Sequence, residues 1–216
     1  MVTAGKVFRL RDETNIQSLA AKLKNLRREE NFDDGTRRYK LLTEVQDLSL
    51  RNDALRGVFS WDLVTYIFHR GERVPTPKTI EAPFSFAENR GRLFVTIVEK
   101  KALANNIANQ LSETLFITTG HIVEAKISPE ILRSFHEQNP EDTKIIFFDD
   151  VDIPNISKLS LYGSALANTA IYNDYCGHGK IWYIVFTSRK HGNIVGLTRN
   201  AVVTIFNQIG DLEFLN

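Results

Sequence analysis

The chain of 216 residues is 43% hydrophobic and 25% charged, a composition that excludes a disordered or fibrous chain and leaves room for one large domain or two small ones. Its formal net charge of +1 excludes a protein that coats DNA mainly by neutralising phosphates. No apolar run nears the ~20 residues of a membrane-spanning helix, and the opening M-V-T-A-G-K-V-F-R lacks the apolar core of a secretory signal. The single cysteine, Cys176, rules out an internal disulfide and a cysteine-rich zinc site. An intracellular protein, cytoplasmic or nuclear and without a membrane partner, is expected.

In chain order, residues 7–11 alternate weakly and predict a short strand. Asp12, Glu13 and Thr14 offer caps for a helix whose Ile16, Leu19, Leu23 and Leu26 recur every three or four residues as one apolar stripe. Lys22, Lys24, Arg27 and Arg28 form the basic outer face of that helix, either solvated or set against phosphates. Residues 31–36 (N-F-D-D-G-T) read as a loop. Residues 39–69 are strand-like in two pieces separated by a turn at 51–53. Pro75 and Pro77 then predict a loop or a sheet edge.

Residues 83–111 spell a strand around Phe84 and Phe86, a turn at 88–92 containing Gly91, a strand over 93–98 and a helix from Lys101. After Gly120, residues 122–128 read as a strand start. Pro129 sits at a favoured first helical position, and Ile131, Leu132 and Phe135 make the apolar face of a short helix. Residues 145–148 predict a strand, with 156–161 as partner, and 173–179 (N-D-Y-C-G-H-G) a loop. Residues 180–207 repeat the earlier plan: strand 181–186, a turn holding Arg189, Lys190 and His191, strand 194–197, and a helix suggested by Ala201, Val202, Ile205 and Ile209. Each half therefore reads as strand, helix, four strands, helix. The expected fold is α+β: two pseudo-repeats, residues 1–120 and 121–216, forming a curved and mainly antiparallel sheet with helices on one face. The first half carries 19 Lys+Arg against 15 Asp+Glu and the second 8 against 11. The chain stops soon after Phe214 and Leu215, consistent with a piece of something longer.

This order of elements resembles that of the TATA-binding-protein fold, and residues 184–199 (I-V-F-T-S-R-K-H-G-N-I-V-G-L-T-R) are similar to that family's strand, turn, strand with a closing Phe and a small residue in the second strand. The resemblance implies that Phe186, and Phe86 as its counterpart, stand where the family wedges a phenylalanine between base pairs. It also implies that Arg90 and Arg92 at one hairpin tip, and Arg189, Lys190 and His191 at the other, present basic clusters at the two ends of one sheet.

Three other patterns are candidates for chemistry. Glu124 and Lys126 have the E-x-K spacing at which metal-dependent nucleases hold a carboxylate and a lysine on one strand face, but solvent-facing charge alternation explains it as well. Asp149, Asp150 and Asp152 are clustered carboxylates that could hold a hard cation or blunt a strand edge. Cys176 and His178 place a thiol near an imidazole without a second pair to complete a metal site. The expectation is therefore a non-enzymatic nucleic-acid-binding domain, with no cofactor, metal or catalytic residue, using Arg90, Arg92, Arg189, Lys190, Phe86, Phe186, Lys24 and Arg28. The alternatives are a protein-interaction or assembly module and, behind it, a metal-dependent nuclease.

Overall fold

The computed structural model describes residues 2–51 and 53–206. They form two compact units, residues 8–123 and residues 2–7 together with 124–206. The N-terminal strand, β1 (Thr3–Leu10), crosses from one to the other between Val7 and Phe8.

In the 8–123 unit, helix α1 (Ile16–Leu23) is capped by Asn15, whose Oδ1 accepts from the Ser18 amide at 2.7 Å. Such a cap satisfies one of the four amide donors a helix start leaves open. The helix is shorter than its apolar stripe suggests. Leu26 is buried, but Arg27 and Arg28 begin β2 (Arg27–Asp33) rather than extending the helix, so the expected basic helix face ends at Lys24. The expected 31–36 loop likewise yields its first three residues to β2. Strands β3 (Arg38–Arg51), β4 (Ala54–His69), β5 (Glu72–Asn89) and β6 (Arg92–Ile97) follow, and the order β2-β3-β4-β5-β6 is an antiparallel meander. Helix α2 (Lys101–Phe116) completes the unit. Alternation sets the inner face of β6: Leu93, Val95 and Ile97 are buried while Arg92 is exposed. These side chains close on Leu55, Phe59, Phe84 and Phe86 from the sheet and on Leu19, Leu23, Ile107 and Leu111 from the two helices.

Pro75 and Pro77 do not break the run. They lie inside β5, opposite Tyr66 and Val64 of β4. Proline is tolerated there because β6 pairs with β5 only over residues 84–89, which leaves the outer side of residues 72–83 without a strand neighbour that would need a donor.

The other unit contains α3 (Pro129–Gln138), β8 (Thr143–Asp149), β9 (Leu159–Tyr162), α4 (Ala170–His178), β10 (Lys180–Thr187), β11 (Ile194–Thr198) and β12 (Val202–Phe206). The short β7 (Ile122–Glu124) precedes them, so Lys126 lies beyond the strand that holds Glu124. Residues 3–6 of β1 pair with β12, and the strand order β1-β12-β11-β10-β8-β9 is antiparallel throughout. Ile146, Phe148, Ile181 and Ile184 of the sheet meet Leu132 of α3 and Tyr172 of α4 in its core. Ile131, expected on the inner face of α3, is instead exposed, and His136 takes the inward place beside Leu132. Gly196 has no room for a Cβ because the Tyr183 ring lies over it.

Two expected elements change type here. Residues 173–178 belong to α4, with Gly179 as its extended C-cap: Thr169 Oγ1 accepts from the Tyr172 amide at 3.2 Å, and the anchoring of Tyr172 in the core outweighs the loop-forming Asn, Asp and Gly. Thr169→Ala is expected to lower stability by about 1 kcal/mol, read as a shift of the denaturant midpoint; an unchanged midpoint would show that the cap is dispensable. Residues 202–206 form β12, not a helix, because the spacing of apolar residues serves pairing with both β1 and β11. Ile209, like Phe214 and Leu215, lies outside the described residues. The second hairpin thus runs into a strand where the first runs into α2.

Candidate functional site

The two phenylalanines expected to reach a ligand are packed inward. Phe86 is 0% exposed and meets Phe84 edge-on at 5.7 Å. Phe186 is partly buried, with its ring 4.7 Å from that of Phe135 on α3. Neither ring can act as a wedge without leaving its core. Arg189 is ion-paired with Asp142, which neutralises the charge expected at that tip, while Lys190 next to it is exposed. Arg90 and Arg92 are exposed at the β5–β6 turn, where Arg90 and Gly91 both take left-handed backbone angles (φ 52° and 73°). Lys24 follows α1 and Arg28 lies on β2, both exposed. Among the described residues Arg90, Arg92, Lys190, Lys24 and Arg28 make no ion pair.

The acidic candidates are each engaged by a basic side chain. Glu124 pairs with Lys6, a fully buried ammonium on β1. Asp149 pairs with Arg199, Asp150 with Lys180 at 3.4 Å, and Asp152 with His178 at 2.8 Å. No group of three or more His, Cys, Asp or Glu side chains among the described residues is placed to hold a metal ion. Cys176 is half-buried on α4, and burial pushes its thiol pKa up, away from a reactive thiolate.

Two arrangements emerge that the sequence did not point to. The first is a ribbon. β3 pairs with β4 only as far as Thr43 opposite Trp61, and beyond that point β4 and β5 continue alone through eight cross-strand pairs, from Asp62–Thr79 to His69–Glu72. One contact steadies its base, where the Leu42 amide donates to Asp62 Oδ2 at 2.9 Å, and another reaches further along it, where the Tyr39 hydroxyl donates to the carbonyl of Pro75, the partner of Tyr66, at 2.9 Å. Its turn, Arg70–Gly71, is left-handed at both residues (φ 50° and 86°), the geometry of a tight hairpin. Just before the turn stand Tyr66, Ile67 and Phe68, exposed by 45%, 51% and 79%. The Arg73 guanidinium carbon lies 3.9 Å from the centre of the Tyr66 ring, a stacking that holds a cation beside the apolar tip. In the sequence these residues read only as the end of a strand; the signal was three consecutive large apolar residues next to H-R-G-E-R, with no alternation to bury half of them.

The second is a cleft of about 540 Å³ in the 8–123 unit, lined by Arg9, Arg11, Asp12, Glu13, Glu88 and Arg92 among others. Arg92 was expected at a binding surface; Arg9 and Arg11 were not, because two charged residues beside a strand end carry no local signature.

No protein-family model matches the sequence, and no curated protein is similar to it. Among the described residues no helix is long and apolar enough to cross a membrane.

Proposed function

We propose that this chain is a non-enzymatic protein-interaction or assembly module that docks its partner with the tip of the β4–β5 ribbon. The exposure of Tyr66, Ile67 and Phe68 at the end of a two-stranded projection carries this reading. Covering a side chain such as Phe68 or Ile67 contributes about 1.5–3 kcal/mol, enough for a few such residues to dominate an interface. Arg70 and Arg73 flank the tip, so the partner that fits is a protein with an apolar pocket rimmed by carboxylates. An intracellular setting, where Cys176 stays a thiol, belongs to the same reading. A shared building plan for the two halves is confined in this proposal to the β5–β6 and β10–β11 hairpins.

The test is a double variant, Ile67→Asp with Phe68→Asp. Its melting temperature is expected to match that of the parent, because both side chains are solvent-exposed. A stoichiometric protein partner, identified and then reconstituted from purified components, is expected to bind the parent and to lose at least about tenfold in affinity for the variant. Equal binding by both forms sinks the proposal.

Nucleic-acid binding is a second reading, favoured by the exposed cations Arg90, Arg92, Lys190, Lys24 and Arg28. It no longer draws on Phe86, Phe186 or Arg189. Oligonucleotide binding that weakens steeply with salt supports it; no binding at low salt removes it.

A further inference from the structure

The cleft in the 8–123 unit holds three arginines and three carboxylates, yet among the described residues none of the arginines forms an ion pair with a carboxylate. Arg9 and Arg11 are two residues apart on extended backbone, so both project from the exposed face while Phe8 and Leu10 between and beside them anchor the opposite face in the core. The Arg11 amide donates to the His121 carbonyl at 2.9 Å, which fixes this stretch of backbone. Arg92 enters from the β5–β6 turn, next to buried Leu93. Asp12 is taken by His121 Nδ1, whose Nε2 in turn meets Thr118 Oγ1 at 2.8 Å. That leaves Glu13 and Glu88 in the same cleft, neither forming an ion pair among the described residues.

Three guanidiniums that form no ion pair among the described residues, gathered in one concavity, suit an anion with several acceptor oxygens, and guanidinium meets phosphate oxygens two at a time. The two remaining carboxylates make a bare inorganic anion a poor match and call for hydrogen-bond donors on the same ligand. A ribose hydroxyl or an exocyclic base amine supplies them, since carboxylates accept from both groups. The volume lies within the range of small-ligand sites.

We infer that the Arg9–Arg11–Arg92 cleft is a binding site for a nucleotide phosphate ester, with Glu13 and Glu88 accepting from its sugar or base. This sharpens the second reading above and is independent of the ribbon. The phosphate can belong to a free nucleotide or to a nucleic-acid chain.

Calorimetric titration of the full chain with inorganic phosphate, ATP and a single-stranded deoxyadenosine decamer tests the site. ATP or the decamer is expected to bind at least about tenfold more tightly than phosphate, and Arg11→Ala and Arg92→Ala are each expected to weaken that binding by about tenfold. Glu88→Gln should weaken ATP while strengthening inorganic phosphate, a reversal that a diffuse basic surface does not produce. Preference for ATP assigns the site to free nucleotides and preference for the decamer to a polymer; both support it. Failure of all three probes to saturate at millimolar concentration overturns the inference, as does equal binding by a well-folded Arg9→Ala, Arg11→Ala, Arg92→Ala triple variant. The Ile67→Asp, Phe68→Asp protein should bind ATP like the parent, so failure of the ribbon proposal leaves this result intact.

Discussion

Phe86→Ala is expected to destabilise the 8–123 unit by about 3–5 kcal/mol, the range found when a fully buried aromatic ring is removed from a core that cannot collapse onto the gap. Collapse is hindered on every side. Phe86 sits near the end of β5 that pairs on both sides, opposite Leu55 on β4 and Val95 on β6, and all three are fully buried. Phe84 packs edge-on against it, and α2 covers the same core with Ile107 and Leu111. A loss of this size is a large fraction of the 5–15 kcal/mol that holds a typical domain folded, so urea denaturation should show a much lower midpoint. The measurement also separates the two roles considered for this residue. Were Phe86 a ligand-facing wedge, alanine would leave the midpoint in place and weaken binding alone; a midpoint within experimental error of the parent would therefore overturn the core assignment.

A second large effect is expected from acid. His136 on α3 is fully buried beside Leu132, its ring 4.8 Å from that of Tyr172, and neither ring nitrogen has a hydrogen-bond partner among the described residues. Burial holds its pKa down to about 4 from the ordinary 6.5, against a small opposing pull from the neighbouring Glu137 carboxylate. The unfolded chain takes up this proton near pH 6.5, whereas the folded chain resists until about pH 4. The contribution of this site to stability is thus constant above pH 6.5 and lost progressively between 6.5 and 4, reaching about 3 kcal/mol at the lower end. Arg133, Glu137 and the Tyr172 hydroxyl, 3.3 Å from Glu137 Oε1, are the other polar groups nearby. Their arrangement adds no partner for the imidazole. His136→Leu should flatten the stability profile over this interval and leave stability at pH 7 unchanged or improved, since it removes a buried polar group without a partner. Identical slopes for parent and variant between pH 6.5 and 4 would falsify the assignment.

What could be read from the sequence was local. The Arg90–Gly91 turn, the start of α2 and the β10–β11 hairpin all rest on apolar alternation broken by Gly or polar residues, and each is present. Misreadings arose where a tertiary neighbour overrode local preference. Residues 173–179 look like a loop until Thr169 caps them and Tyr172 enters a core. Residues 202–206 have apolar spacing that suits either a helix or a strand, and flanking strands on both sides decide. Pro75 and Pro77 looked like breakers because a strand with one open edge cannot be recognised from within. The candidate site was least legible of all. Phe86 and Phe186 gave the same signal whether their rings faced a partner or a core, and nothing near Asp142 announces that it will take the charge of Arg189, 47 residues later. Arg9 and Arg92 share a cleft only through long-range folding, which leaves no trace in spacing.

The pairing of Thr3–Lys6 with β12 has a consequence for biosynthesis. Residues 3–6, once synthesised, must wait for roughly 200 further residues before their partner strand exists, on the order of 10–40 seconds at ordinary rates of synthesis. During that interval residues 8–123 can already bury their own core, while the segment ahead of them keeps its backbone donors and acceptors unclaimed. Closure of the 124–206 sheet is then a late event that joins residues 3–6 to a strand made about 200 residues later, and a chaperone that shields residues 3–6 would act in that window.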